Sequence, residues 1–132
     1  MLKIGVLGAG HLGKIHINCI LQIKELELVG FYDSDALVRA EISREYGIKS
    51  FNNFDDLMEQ CELIDIVTPT LSHYECAKKS IEKGKHVFHI TYLHSFHPHL
   101  YHKPVTHRFV LSEADRMQTL AHHFHFLSSN DM

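Results

Sequence analysis

Near the start of the chain, Gly8-Ala9-Gly10-His11-Leu12-Gly13 follows the apolar run Lys3-Ile4-Gly5-Val6-Leu7. A G-x-G-x-x-G spacing between an apolar strand and a helix limits the possible folds more than any other feature of this sequence. Gly8 lets the chain leave the strand in a tight turn, and Gly10 has no Cβ to hold a pyrophosphate off the backbone. Gly13 lets the helix pack close to the strand, while the backbone N–H groups of His11, Leu12 and Gly13 open a helix N-terminus suited to phosphate. A second strand, Leu26–Tyr32, ends at Asp33, the place where a carboxylate meets the hydroxyls of a ribose. A purely structural glycine turn is the alternative, and the strand-turn-helix context together with Asp33 favours a dinucleotide site.

Composition narrows the class without naming a chemistry. The 132 residues make one domain, and 45% hydrophobic with 22% charged residues is ordinary globular usage. A net charge of -3 gives no electrostatic case for nucleic acid or a membrane surface. No apolar run is long enough to cross a bilayer, and the N-terminus lacks a signal-peptide layout. Cys19, Cys61 and Cys76 are scattered without C-x-x-C spacing, which reads as buried packing in a reducing compartment and predicts a cytoplasmic protein.

Strands and helices alternate along the chain. A first helix carries Leu12, Ile15, Cys19, Ile20 and Ile23 at helical spacing. Ser34 or Asp35 caps a second helix that stops at Gly47. Residues 48–51 read as a short third strand, Asp55 and Asp56 as the acidic first turn of a short helix, and 63–67 as a fourth strand. A helix over 72–83 is predicted to bury Tyr74, Ala77 and Ile81, and residues 85–88 start a fifth strand. This alternation predicts a Rossmann-type, doubly wound α/β domain with a parallel sheet of five or six strands. Gly8, Asp33 and the segment Thr68-Pro69-Thr70 all fall at C-terminal strand ends, where ligands of such sheets bind.

From the end of that strand the pattern changes. Most of the 13 histidines lie in the last third of the chain. The divisions are a dinucleotide-binding core over 1–88, an irregular His-rich insertion over 89–102, and a turn and C-terminal helix of the same domain over 103–132. His94, His97, His99 and His102 could gather on a metal, but no carboxylate or cysteine stands among them and no regular element fixes them. No evolved metal site is expected.

The order of motifs resembles the N-terminal half of the glucose-fructose oxidoreductase / inositol dehydrogenase (Gfo/Idh/MocA) family. The matching residues are the stretch from Lys3 to Gly13, Asp33, and Asp65-Ile66-Val67-Thr68-Pro69-Thr70. They continue through His73, Glu75 and Ala77 to Gly84-Lys85-His86-Val87-Phe88. The resemblance implies hydride transfer between a nicotinamide cofactor and a sugar, cyclitol or related hydroxyl compound. It also implies that Thr68, Pro69 and Thr70 wall the nicotinamide ribose, with His73 close by. Lys103-Pro104 matches the end of the family's Glu-Lys-Pro motif, whose Lys stands near nicotinamide and substrate. Here His102 replaces the Glu, and the motif follows the His-rich stretch. The family's second, sheet-rich domain carries most substrate contacts and the oligomer interface, and nothing in this sequence corresponds to it. The chain is therefore expected to be the cofactor half, with little turnover alone and with self-association through exposed apolar surface.

Several residues keep a plainer alternative. Asp33 is either a ribose ligand or a solvated carboxylate. Thr68-Pro69-Thr70 is either a ribose wall or a loop breaker, and His73 a site residue or a surface one. His11 and His16 read as structural or exposed side chains. Lys103 is either the group that assists removal of the hydroxyl proton or an exposed lysine before a proline turn. Asp33 repels a 2′-phosphate and Ser34 adds no positive charge, so NAD is the expected cofactor. NADP stays possible if Arg39 or Arg44 reaches the site. A non-catalytic dinucleotide-binding module or partner subunit is the alternative to an enzyme half.

Overall fold

A computed structural model describes residues 1–89. Strand β1 (Leu2–Leu7) leads through the glycine turn into helix α1 (His11–Leu21) and back to β2 (Leu26–Tyr32). Helices α2 (Ala36–Tyr46) and α3 (Phe54–Gln60) precede β3 (Leu63–Ile66), then come α4 (Thr70–Glu82) and β4 (His86–His89). The described strands form one parallel sheet in the order β2-β1-β3-β4. The chain therefore goes outward from β1 to β2, then crosses back to β3 on the other side. That reversal creates the crevice at the strand ends where ligands of doubly wound sheets bind.

The expected third strand over 48–51 reduces to a single parallel bridge, Phe31 to Ser50. It is held by Phe31 N–H to the Lys49 carbonyl (3.0 Å) and Phe51 N–H to the Phe31 carbonyl (2.8 Å). The segment is squeezed between Gly47, which ends α2 in a left-handed conformation, and Asn53, which caps α3. Asp35 rather than Ser34 caps α2 by accepting from Leu37 N–H, and Asn53 accepts from Asp56 N–H with Asp55 and Asp56 in the first turn.

Alternate residues of the strands feed two cores. Ile4, Val6 and Leu63 pack with Ile17, Cys19 and Ile20 of α1 on one face, where Phe31 and Ile42 join them. Leu7, Ile64 and Ile66 pack with Leu57 and Met58 of α3 on the other. Cys61 lies in this second core. Burial pushes its thiol up to about 11 against the pull of Lys85 and Lys3, so it packs rather than reacts.

Two helix faces differ from expectation. On α1 the buried residues are Gly13, His16, Ile17, Cys19 and Ile20, while Leu12 and Ile15 are only partly covered. On α4, Tyr74 is 69% and Ile81 43% exposed, and among the helix's described side chains the one that goes fully inside is Ser80. Its hydroxyl donates to the Cys76 carbonyl at 2.7 Å, so a polar side chain is satisfied within its own helix and lets α4 lie close to Met58.

Candidate cofactor site

Three strand ends meet at one edge of the sheet. At the end of β1, Gly8 has φ +99°, and a Cβ there would meet the Val67 carbonyl oxygen at 2.7 Å. Both facts require glycine. The Gly8 N–H donates to the Tyr32 carbonyl at 2.8 Å, and Val67 N–H donates to the Leu7 carbonyl at 2.7 Å. The turn is thus stitched to β2 on one side and to the end of β3 on the other. A Cβ on Gly13 would run into the Gly8 carbonyl, which is why the helix closes so tightly on the turn.

Gly10 behaves differently. Among the described residues a Cβ at this position meets nothing within 4 Å, so none of them requires glycine there. Gly10 is the N-cap of α1, and among the described residues no side chain caps the helix. The first-turn amides of His11, Leu12 and Gly13 are those that a helix N-terminus leaves for an outside acceptor. An open cradle lined by uncapped amides fits an anionic pyrophosphate. The His11 side chain is exposed, so the contribution of this residue is its backbone.

Asp33 is more than a charge at a strand end. Its Oδ2 accepts from Ala9 N–H at 2.8 Å, inside the glycine turn, and its Oδ1 accepts from Asp35 N–H at 2.9 Å. Each oxygen of a carboxylate accepts two hydrogen bonds, so each keeps one place for a ribose hydroxyl. Ala9 and Asp35, which the sequence reading did not place at the site, therefore hold its acceptor. The only signal for them was the turn itself and the helix cap.

Arg39, one of the two arginines expected to admit NADP if they reach the site, lies beside this acceptor. Its Nη1 donates to the Asp33 carbonyl at 2.7 Å and to the Ser34 carbonyl at 3.4 Å, and the guanidinium lies over the Tyr32 ring at 5.8 Å. Arg44 is exposed in the last turn of α2, one turn and more beyond Arg39.

At the end of β3, Thr68 is half-buried and Pro69 forms the N-cap of α4, so the segment breaks the strand and starts the helix. Ser72 N–H donates to the Pro69 carbonyl at 2.9 Å. Thr70 and His73 occupy the first turn of α4, and their side chains lie outside the described parts. Lys103, the His-rich segment and the expected C-terminal helix also lie outside the described residues.

Behind this edge is a pair the sequence reading missed. His16 Nδ1 lies 2.7 Å from Asp65 Oδ2, with the two side chains 1% and 0% exposed. Burial by itself lowers the His16 pKa, but the attraction of the Asp65 carboxylate and their hydrogen bond outweigh it and raise the net value. The pair ties α1, which follows the phosphate turn, to β3, which leads into Thr68 and Pro69. His16 is a structural residue of the core, not an exposed one.

Residues 2–89 match the family described as the oxidoreductase family with an NAD-binding Rossmann fold, GFO_IDH_MocA. The chain belongs to the Gfo/Idh/MocA oxidoreductase family. Among Gfo/Idh/MocA relatives, it is 37% identical over 87 residues to glucose-6-phosphate 3-dehydrogenase of Bacillus subtilis, covering 66% of this chain and 25% of that protein. UDP-N-acetylglucosamine 3-dehydrogenase of Acidithiobacillus ferrooxidans is 33% identical over 85 residues, covering 64% and 26%. The solved structure of the latter superimposes with a TM-score of 0.62 at 32% identity, over 67% of this chain and 28% of that one. Scyllo-inositol dehydrogenase of Lactobacillus casei, solved with NAD(H) and scyllo-inositol, gives 0.61 at 30% identity, over 67% and 27%. The chain spans about a quarter of the length of the curated relatives it matches. What it shares with them is the NAD-binding Rossmann domain. Among the described residues, no helix is long and apolar enough to cross a membrane.

Proposed function

We propose that this domain is the cofactor half of an oxidoreductase that moves hydride between a nicotinamide dinucleotide and a carbon bearing a hydroxyl in a sugar, cyclitol or related compound. The observation that carries the reading is the pairing of an open Gly10 cradle with an Asp33 carboxylate held by Ala9 and Asp35. When bound, the dinucleotide supplies the hydride acceptor or donor. The part of this chain is to grip it. The amides of His11, Leu12 and Gly13 face the pyrophosphate, Asp33 takes the adenosine ribose hydroxyls, and Thr68, Pro69, Thr70 and His73 border the nicotinamide end. The names of the matched relatives, which act on phosphorylated or nucleotide-linked sugars and on an inositol, support the substrate class. Lys103 is the candidate for assisting removal of the hydroxyl proton, a role that rests on its Lys-Pro resemblance alone. The protein is proposed to work in the cytoplasm as a self-associating subunit.

Calorimetric titration of the chain with NADH tests this reading, with Gly10→Val as control. The variant is expected to stay folded, because among the described residues its Cβ meets nothing within 4 Å, and to lose binding. NADH binding that survives the substitution, or absence of binding by the parent, overturns the proposal.

A further inference from the structure

His16 and Asp65 are buried behind the cofactor edge, 1% and 0% exposed. We propose that they are positioning residues: the hydrogen bond between them fixes helix α1 against strand β3, and so sets the spacing between the phosphate turn and the Thr68–Pro69 turn. The proposal rests on the dinucleotide reading above and adds to it two residues that act on the cofactor only through the backbone.

Three observations carry it. First, the pair stands close behind both turns. His16 follows His11 in the same helix by about 7–8 Å of axial rise, and Asp65 precedes Thr68 by about 10 Å of extended chain. Second, the backbone between the turns has no slack. Gly13 of α1 abuts the Gly8 carbonyl, and a Cβ on Gly8 would meet the Val67 carbonyl oxygen at 2.7 Å. Val67 N–H in turn donates to the Leu7 carbonyl. A shift of α1 therefore passes through Gly13 and Gly8 into Val67 and the turn that follows it. Third, the pair is directional where its surroundings are not. Ile17, Cys19 and Ile20 of α1 pack with Ile4, Val6 and Leu63, and apolar contact of this kind holds a helix on a sheet without fixing where it sits. The Nδ1–Oδ2 bond at 2.7 Å, shielded from water, does fix it.

Stability alone does not account for such a pair in the core. Burying two ionisable groups costs their hydration, and a well-packed apolar pair of similar volume is often as stable or more so. What an apolar pair does not supply is a single arrangement of the two elements. Asp65 also supports the donor it needs, since its attraction and hydrogen bond raise the His16 pKa against the effect of burial. The imidazole thus keeps the proton that Nδ1 donates.

The test pairs calorimetric titration of the full chain with NADH and urea denaturation of the same samples. It compares the parent, the His16→Leu, Asp65→Leu double variant, His16→Asn and His16→Gln. Asn carries its amide nitrogen where Nδ1 stands and can still donate to Asp65, whereas Gln carries it where Nε2 stands. The double variant is expected to keep most of the parent's stability and yet bind NADH about tenfold or more weakly. His16→Asn leaves volume unfilled and is less stable, but should bind within about threefold of the parent. His16→Gln should bind as weakly as the double variant. Affinity then follows the hydrogen bond and not stability, an order that a merely structural role does not produce. A double variant that binds like the parent, or a His16→Asn that loses as much as the double variant, overturns the positioning role alone. If the double variant does not fold, His16→Asn and His16→Gln decide, and equal affinities overturn it. A parent that binds no NADH overturns the cofactor reading and this inference together.

Discussion

The turn after β1 and the turn after β3 meet at the same sheet edge, yet they are built by opposite means. The first has no room for side chains: Gly8 sits against the Val67 backbone and Gly13 against the Gly8 carbonyl. The second is placed from behind by a side-chain pair, Asp65 on β3 reaching His16 on α1. One turn is shaped by the absence of atoms, the other by a buried electrostatic contact. Local geometry dictates the first, and the packing of distant elements dictates the second.

The largest effect expected from breaking this contrast is at the second turn. Asp65→Ala leaves a buried imidazole facing a void and should destabilise the domain by about 3–5 kcal/mol, measured by urea denaturation. Replacing both partners, His16→Leu with Asp65→Leu, should recover most of that loss, since an apolar pair avoids the desolvation of both groups. If the double variant is no better than the single, the contact does more than fill the core.

At the first turn, Gly13→Ala forces a Cβ against the Gly8 carbonyl and should lower stability by about 1–3 kcal/mol. A stability change for Gly13→Ala as small as that for Gly10→Val would contradict the close approach described here. A smaller effect is expected next door. Asp35→Ala removes the cap of α2 and should lower stability by about 1 kcal/mol, read from the same denaturation curves.

The gentlest signal is a slope with pH. Because the folded-state pKa of His16 is raised, its contribution is fully present below the unfolded value, near 6.5. It is lost as pH rises through the folded value. Melting temperature should therefore decline over that range more in the parent than in the His16→Leu, Asp65→Leu double variant. A parent and double variant with parallel profiles would remove His16 as the cause.

This contrast also explains what could be read from the sequence. Gly8, Gly10, Gly13 and Asp33 were legible because a backbone that must turn sharply or approach a phosphate tolerates few residue types at fixed spacing. The helix ends Asp35 and Gly47 follow the same local logic, while the choice between Ser34 and Asp35 and the Asn53 cap needed coordinates. His16 and Asp65 are separated by 49 positions, and nothing local links them. The face of α4 was misjudged because Ser80 satisfies its hydroxyl within the helix and takes the buried place that Tyr74 and Ile81 were expected to fill. Sequence alone left Arg39 and Arg44 as equal candidates to reach the site, and the carbonyls of the β2–α2 loop single out Arg39.

The double duty of Asp33 bears on how such a domain changes its cofactor over evolutionary time or in the hands of an engineer. The usual route from NAD toward NADP removes the ribose carboxylate. Here that carboxylate is also the acceptor for the Ala9 and Asp35 amides. Serine or alanine at 33 would leave two backbone donors to find new partners and would loosen the phosphate turn at the same stroke. A successful switch must therefore travel as a linked set, with a replacement acceptor arriving alongside the lost charge. Single-residue libraries at this position should return weakened binders of both dinucleotides rather than converted ones.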